Sequence, residues 1–135
     1  MALKLELKPG EKFVVNGAVV TAGRSGASLV LHNKAVLLRG RDVMQEDEAN
    51  TPARRLYFAI MLMYIDPTDR ERYRKRFNGF WGDFMSATTV RAAQDLLRKI
   101  LETVEAQDYY RAMKLCRQLI DYEASVLSPV AEAVQ

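Results

Sequence analysis

Leu3-Lys-Leu-Glu-Leu-Lys-Pro-Gly-Glu-Lys-Phe-Val-Val-Asn-Gly-Ala-Val-Val-Thr21 decides the first half of the fold. Leu3, Leu5 and Leu7 alternate with Lys4, Glu6 and Lys8, the period of two that marks a half-buried strand. Pro9-Gly10 ends that strand. Lys12–Val15 and Ala18–Thr21 then flank Asn16-Gly17, a dipeptide that tolerates the two positive φ angles of a type I′ hairpin. Outward from this stretch, Gly23-Arg24-Ser25-Gly26 turns the chain again. Ser28–His32 and Ala35–Arg39 supply two more strands around Asn33-Lys34.

From Thr51 the period changes. Thr51 suits an N-cap and Pro52 the first helical position. The following Leu56–Ile65 is apolar all round, the pattern of an enclosed, central helix. Asp66-Pro67 starts a second helix with Tyr73, Phe77, Phe80, Trp81 and Phe84 at helical spacing. Gly79 and Gly82 predict a bend or a close contact in it. Thr88 or Thr89 caps a third helix, whose stripe runs through Ala93, Leu97, Ile100 and Val104. A turn at Ala106–Asp108 leads to the fourth, with Tyr109, Ala112, Met113, Cys116 and Leu119 on its apolar side. The expected class is α+β: a small antiparallel β module of four to five short strands over 1–44, then an acidic linker over 45–50. A bundle of about four helices fills 51–127, and Ser128-Pro129 opens a frayed tail over 128–135.

Strands such as Phe13–Val15, Leu29–Leu31 and Val36–Leu38 are apolar on both faces and predict cover on both. About 40 residues bury too little to stand alone, so the module is expected to pack on the helices and to pair with a second copy as a homodimer.

The 135 residues carry a formal net charge of +3, unevenly spread. Seven Lys or Arg against two Glu make residues 1–41 basic, whereas 42–48 hold four acids. Such an asymmetry marks where polyanions are attracted. Lys4, Lys8, Arg24, Arg39 and Arg41 are the candidate RNA-binding residues of the β module. Arg70, Arg72, Arg74, Lys75 and Arg76 form a second basic set, for which a solvated helix face making weak exposed ion pairs weighs as much as a ligand contact. If five net charges met the phosphates of a single strand, log K would fall with log salt at a slope of about −3.5.

Nothing in the chain assembles catalysis. Gly23–Ser28 resembles a phosphate loop only in composition, since it lacks Gly-Lys-Ser/Thr and opens a strand. His32 is the only histidine and Cys116 the only cysteine, too few for a zinc site or a nucleophile–base pair. No enzyme, metal or cofactor is expected. A lone cysteine and the absence of a signal peptide or of an apolar run of about 18 residues predict a cytoplasmic protein with no membrane contact.

The order of residues is similar to the FlbT family of flagellar biosynthesis repressors. The resemblance is carried by Leu3-x-Leu5-x-Leu7-x-Pro9-Gly10-Glu11, Asn16-Gly17-Ala18-Val19, Thr51-Pro52 with Arg55 and Tyr57, and Met63-Tyr64 with Asp66-Pro67. Tyr109-Tyr110 with Ala112, Lys114 and Leu115, then Leu119-Ile120 with Tyr122-Glu123, complete it. It implies a post-transcriptional regulator that binds the 5′ untranslated region of flagellin mRNA and lowers its translation or stability. The β half also resembles the CsrA family of RNA-binding regulators, which form intertwined β dimers gripping single-stranded RNA along their first and last strands. That resemblance places a basic RNA contact at Arg39. Lys8 matches the second of that family's two first-strand arginines, while Leu7 stands in place of the other. The alternative reading is a protein-interaction module whose helices grip an amphipathic segment of a flagellar regulatory protein or of flagellin, with no RNA contact.

Overall fold

A computed structural model describes residues 3–33 and 35–134, with side chains described up to residue 126. Five strands come first: β1 (Leu3–Leu7), β2 (Lys12–Val15), β3 (Ala18–Thr21), β4 (Ala27–Leu31) and β5 (Leu37–Arg39). Four helices follow: α1 (Pro52–Ile65), α2 (Arg70–Ala87), α3 (Arg91–Glu105) and α4 (Tyr109–Val134). The architecture is the expected α+β arrangement.

The strands form two small antiparallel sheets. One pairs β1 with β4, Leu5 opposite Leu29; the other has the order β3-β2-β5, with Val14 opposite both Val19 and Leu38. Asn16 and Gly17 take φ values of 48° and 84°, as the type I′ reading requires. Val36 N–H donates to the Asn16 side chain at 2.9 Å, and Asn16 N–H donates to the Val36 carbonyl at 2.8 Å, so the hairpin tip is fastened to the segment entering β5. Gly26 has φ 76°, and a Cβ there would run into the Leu7 carbonyl. The stretch Gly23–Gly26 is thus a tight turn that opens β4. Lys34, at the turn before β5, lies outside the described residues.

Strand β2 is covered on both sides. Phe13 packs with Leu7 and Ala22 in a small cluster between the two sheets. Val14 and Leu38 point the other way and belong to the main helical core, alongside Leu56, Ile60 and Met63 of α1. For the doubly apolar strands the chain itself supplies only part of the expected cover. Every residue of β3 is exposed, Val19 to 72%, and Leu3, Val20 and Val30 are open as well. A two-layer module can bury only the side that meets its partner layer, and among the described residues no strand pairs with the far edge of β3.

Helix α1 is the enclosed helix its composition implies, packed against both α2 and α4, while α3 pairs with α4. Thr51 Oγ1 accepts the Arg54 N–H at 3.2 Å, and the Ala53 N–H donates to Glu123 of α4 at 3.0 Å. Together these satisfy amides that a helix start leaves free. Helix α2 begins at Arg70 because Pro67–Asp69 forms a 3-10 turn first. Asp66 is held below the usual carboxylate range by hydrogen bonds from Thr68 and Tyr73.

Two expectations are corrected. Gly79 and Gly82 make no close contact: a Cβ at either would meet open space, and α2 runs unbroken from Arg70 to Ala87. Helix α4 does not end at Ser128-Pro129 but continues to Val134. A proline forfeits one ladder bond and need not stop the turns on either side of it.

A candidate nucleic-acid interface at the seam

The first sequence-predicted set divides. Lys4 is exposed on β1 beside Glu6, its ammonium 3.6 Å from that carboxylate, and Arg24 is exposed at the turn tip. Lys8, Arg39 and Arg41 come together around a cleft of about 580 Å³ that Glu6 and Glu11 also border.

Within it Arg39 is engaged by its own chain. Its guanidinium donates to both carboxylate oxygens of Glu11, each at 2.8 Å, and to the Glu6 carbonyl at 2.8 Å. This fork geometry is the strong form of the ion pair. The Arg39 side chain, followed by a backbone hydrogen bond from Lys8, holds the Glu11 carboxyl at about 2 against an ordinary 4.5, so Glu11 is ionised at neutral pH. Arg39 therefore ties the end of β5 to β1 and to the start of β2, and presents little free charge. Lys8 and Arg41 remain exposed, Arg41 with 83% of its side chain open.

The cleft does not stop at the β module. Arg41 also borders two neighbouring hollows of about 290 and 300 Å³, which lead past Leu3, Leu5 and Tyr64 to Tyr110, Lys114 and Arg117 of α4. The seam between sheet and helices is thus a run of clefts lined by five cations and three carboxylates. Local folding sets each member. Tyr57 donates its hydroxyl to the Asp42 carbonyl at 2.7 Å, and burial pushes that hydroxyl up to about 12. Arg117 donates to the Arg41 carbonyl at 2.8 Å, lies 3.5 Å from the Asp42 carboxylate and covers the Tyr57 ring at 4.8 Å. Tyr64 donates to the Leu37 carbonyl at 3.2 Å. Tyr110, 41% exposed, sits 5.8 Å from the Tyr64 ring, with the Lys114 ammonium 4.8 Å from its own centroid.

Tyr110, Lys114 and Arg117 were not singled out by charge counting. Their spacing of i, i+4 and i+7 puts an aromatic and two cations on one face of α4. That signal was legible beside the apolar stripe.

The second predicted set is not one patch. Arg70 donates to the Met63 carbonyl at 2.9 Å and stacks on Tyr109. Arg72 pairs with Asp69 at 3.6 Å, and Arg74 reaches Glu105 at 3.6 Å and Asn78 at 2.9 Å. Lys75 is exposed, and exposed Arg76 borders a separate groove with Phe58, Tyr73 and Phe80. His32 is exposed just past β4. Cys116 is fully buried, its thiol donating to the Ala53 carbonyl at 3.4 Å and its pKa pushed up by desolvation. Among the described residues no group of three or more His, Cys, Asp or Glu could hold a metal ion, and no helix is long and apolar enough to cross a membrane.

Comparison with known proteins gives one family. The family described as "Flagellar protein FlbT" matches residues 3–127. A probable flagellum biosynthesis repressor protein FlbT of Caulobacter sp. (strain K31) is 47% identical over 97% of this chain and 100% of its own. The flagellum biosynthesis repressor protein FlbT of Caulobacter vibrioides is 44% identical over 99% of this chain and 95% of its own. The probable repressor FlbT 1 of Bradyrhizobium diazoefficiens is 38% identical over 91% and 83%. No solved structure matches. With residues 3–127 covered and the curated relatives spanned nearly end to end, the chain belongs to the FlbT family of flagellar proteins.

Proposed function

We propose that this protein is a post-transcriptional repressor of flagellin synthesis that binds the 5′ untranslated region of flagellin mRNA in the cytoplasm. The observation that carries the reading is the seam. Lys8 and Arg41 of the β module and Lys114 of α4 line one continuous, solvent-open run of clefts with an exposed aromatic ring. Cations that track a backbone beside a ring that accepts bases are what a single-strand binder needs. The relatives named as flagellum biosynthesis repressors support the regulatory sense.

A filter-binding titration of purified protein against a flagellin leader RNA at two salt concentrations tests it. With Arg39 and Arg117 engaged internally, the seam offers Lys8, Arg41 and Lys114 as its exposed cations, Arg41 only loosely paired with Asp42 at 4.0 Å and Lys114 resting over Tyr110. Log K should therefore fall with log salt at a slope of about −2, at roughly 0.7 per contact, rather than −3.5. A slope of zero, or no retained RNA at low salt, would sink the reading.

The homodimer belongs to the same proposal. β3 is exposed along its whole length with a free edge, and such edges are templates for pairing with another chain. A sedimentation mass of twice 15.4 kDa is the direct check.

One observation favours the protein-interaction alternative. Between α1 and α2 a groove of about 430 Å³ is lined by Pro52, Arg55, Phe80, Asp83 and Phe84, a form that suits an amphipathic helix. That reading gains if the protein retains no RNA yet co-purifies stoichiometrically with flagellin or another flagellar regulator.

A further inference from the structure

The apolar stripe of α4 turns Tyr109 into the core and leaves its neighbour Tyr110 on the surface, 41% exposed. This ring is large, apolar and wet, but it is not loose. Tyr64 flanks it with ring centroids 5.8 Å apart and planes at 41°, and Tyr64 is itself fixed by its bond to the Leu37 carbonyl. A ring immobilised before its ligand arrives binds at a lower entropic cost. Lys114 holds its ammonium 4.8 Å from the Tyr110 centroid, where a cation rests when nothing else covers a ring. Its four-carbon stem lets that ammonium swing aside to a phosphate. Arg41 stands across the same hollow with its side chain open and Asp42 no nearer than 4.0 Å. Arg117 anchors the Arg41 carbonyl and so fixes where that arginine starts.

We propose that Tyr110 is the stacking platform for one unpaired base of single-stranded RNA, with Lys114 and Arg41 taking the phosphates on either side. This rests on the RNA-binding reading above and assigns its site. The base displaces Lys114 from the ring, so one event exchanges a cation–π contact for a stacked base and an ion pair. A duplex keeps its base faces inside the stack, and the site therefore selects single strands.

The experiment measures the full chain against an oligoadenylate of about 12 nucleotides, within the span of single-strand grooves, and against a duplex of the same length, each at two salt concentrations. Tyr110→Ala should weaken oligoadenylate binding roughly 5- to 150-fold, the span seen for losing one stacked base. Its salt slope should stay unchanged, because no charge is removed. Tyr110→Phe should bind as the parent does. Tyr110→Leu, which keeps apolar bulk against Tyr64 without an aromatic face, should fail as Tyr110→Ala does. Lys114→Ala should make the slope shallower by about 0.7. Duplex binding should not change with Tyr110. The stacking proposal is overturned if the parent binds oligoadenylate and Tyr110→Ala matches it, if Tyr110→Leu restores binding, or if single strand and duplex fall together. If the parent binds neither RNA nor leader transcript, the RNA-binding reading fails and takes the platform with it.

Discussion

A peptide ending at residue 44 is expected to have no fold of its own. Its buried apolar residues would be Leu7, Phe13 and Ala22, with Val15, Ala27, Leu29 and Leu37 packed beside them. Val14 and Leu38, which contribute as much as any of these, face the helices instead and would be left in water. The Tyr57, Tyr64 and Arg117 hydrogen bonds to the carbonyls of Asp42, Leu37 and Arg41 would go as well. Chains of about 40 residues fold alone only with a disulfide, a metal or a partner, and this segment has no cysteine. Circular dichroism of the peptide should show little strand signal and no cooperative melt. A sharp, concentration-independent transition would refute the dependence on the helices.

Leu38→Ala in the full chain should cost about 2–5 kcal/mol, the usual range for truncating a buried leucine. Leu38 is 1% exposed, opposite Val14 in the register and inside the helical core, so shortening it opens a hollow where sheet meets bundle. Against a total stability of roughly 5–15 kcal/mol, such a loss is a large fraction of the whole. Val19→Ala, at an equally apolar but open position on β3, should stay within about 0.5 kcal/mol. Urea denaturation reads both, with the slope m unchanged if the denatured state is unaffected. Equal effects at the two sites would mean that Leu38 does not join the two halves.

Both expectations turn on one residue pair, Val14 and Leu38, and this shows what periodicity can and cannot report. A strand apolar on both faces announces two buried sides, and β2 has them: Phe13 toward the second sheet and Val14 toward α1. The same pattern in β4 misleads about this chain alone, where Val30, like Val19 and Val20 of β3, stays exposed and only a second copy would cover it. Gly79 and Gly82 mislead in a similar way. Composition flags a weak point in the helix, but only the surroundings decide whether a neighbour comes close.

The site was legible in half. Lys8 and Arg41 were marked by the charge of their segment and stand open at the seam. Arg39 was marked by the same count and by its place after the last strand, yet Glu11, twenty-eight residues earlier in the chain, occupies it. Three of the arginines between Arg70 and Arg76 are likewise engaged, by a carbonyl, a carboxylate or an amide. A count of charges cannot distinguish a cation facing solvent from one facing an acceptor, because the acceptor is supplied by a distant part of the chain.

Although α2 starts only at Arg70 and α3 starts behind an uncapped Val90, the sequence by itself determined the kind and order of the elements, the Asn16-Gly17 hairpin, the Thr51 cap and the enclosed character of α1. All of these are local, set by side-chain period and backbone preference over a few residues. Tertiary structure alone decided that β1 pairs with β4 and β2 with β5, and that Arg39 is a tie. It also decided that Arg117 meets Arg41 across seventy-six residues to form the seam beside Tyr110. Those outcomes depend on which surfaces bury most together, a property of the whole packed chain that no short stretch encodes.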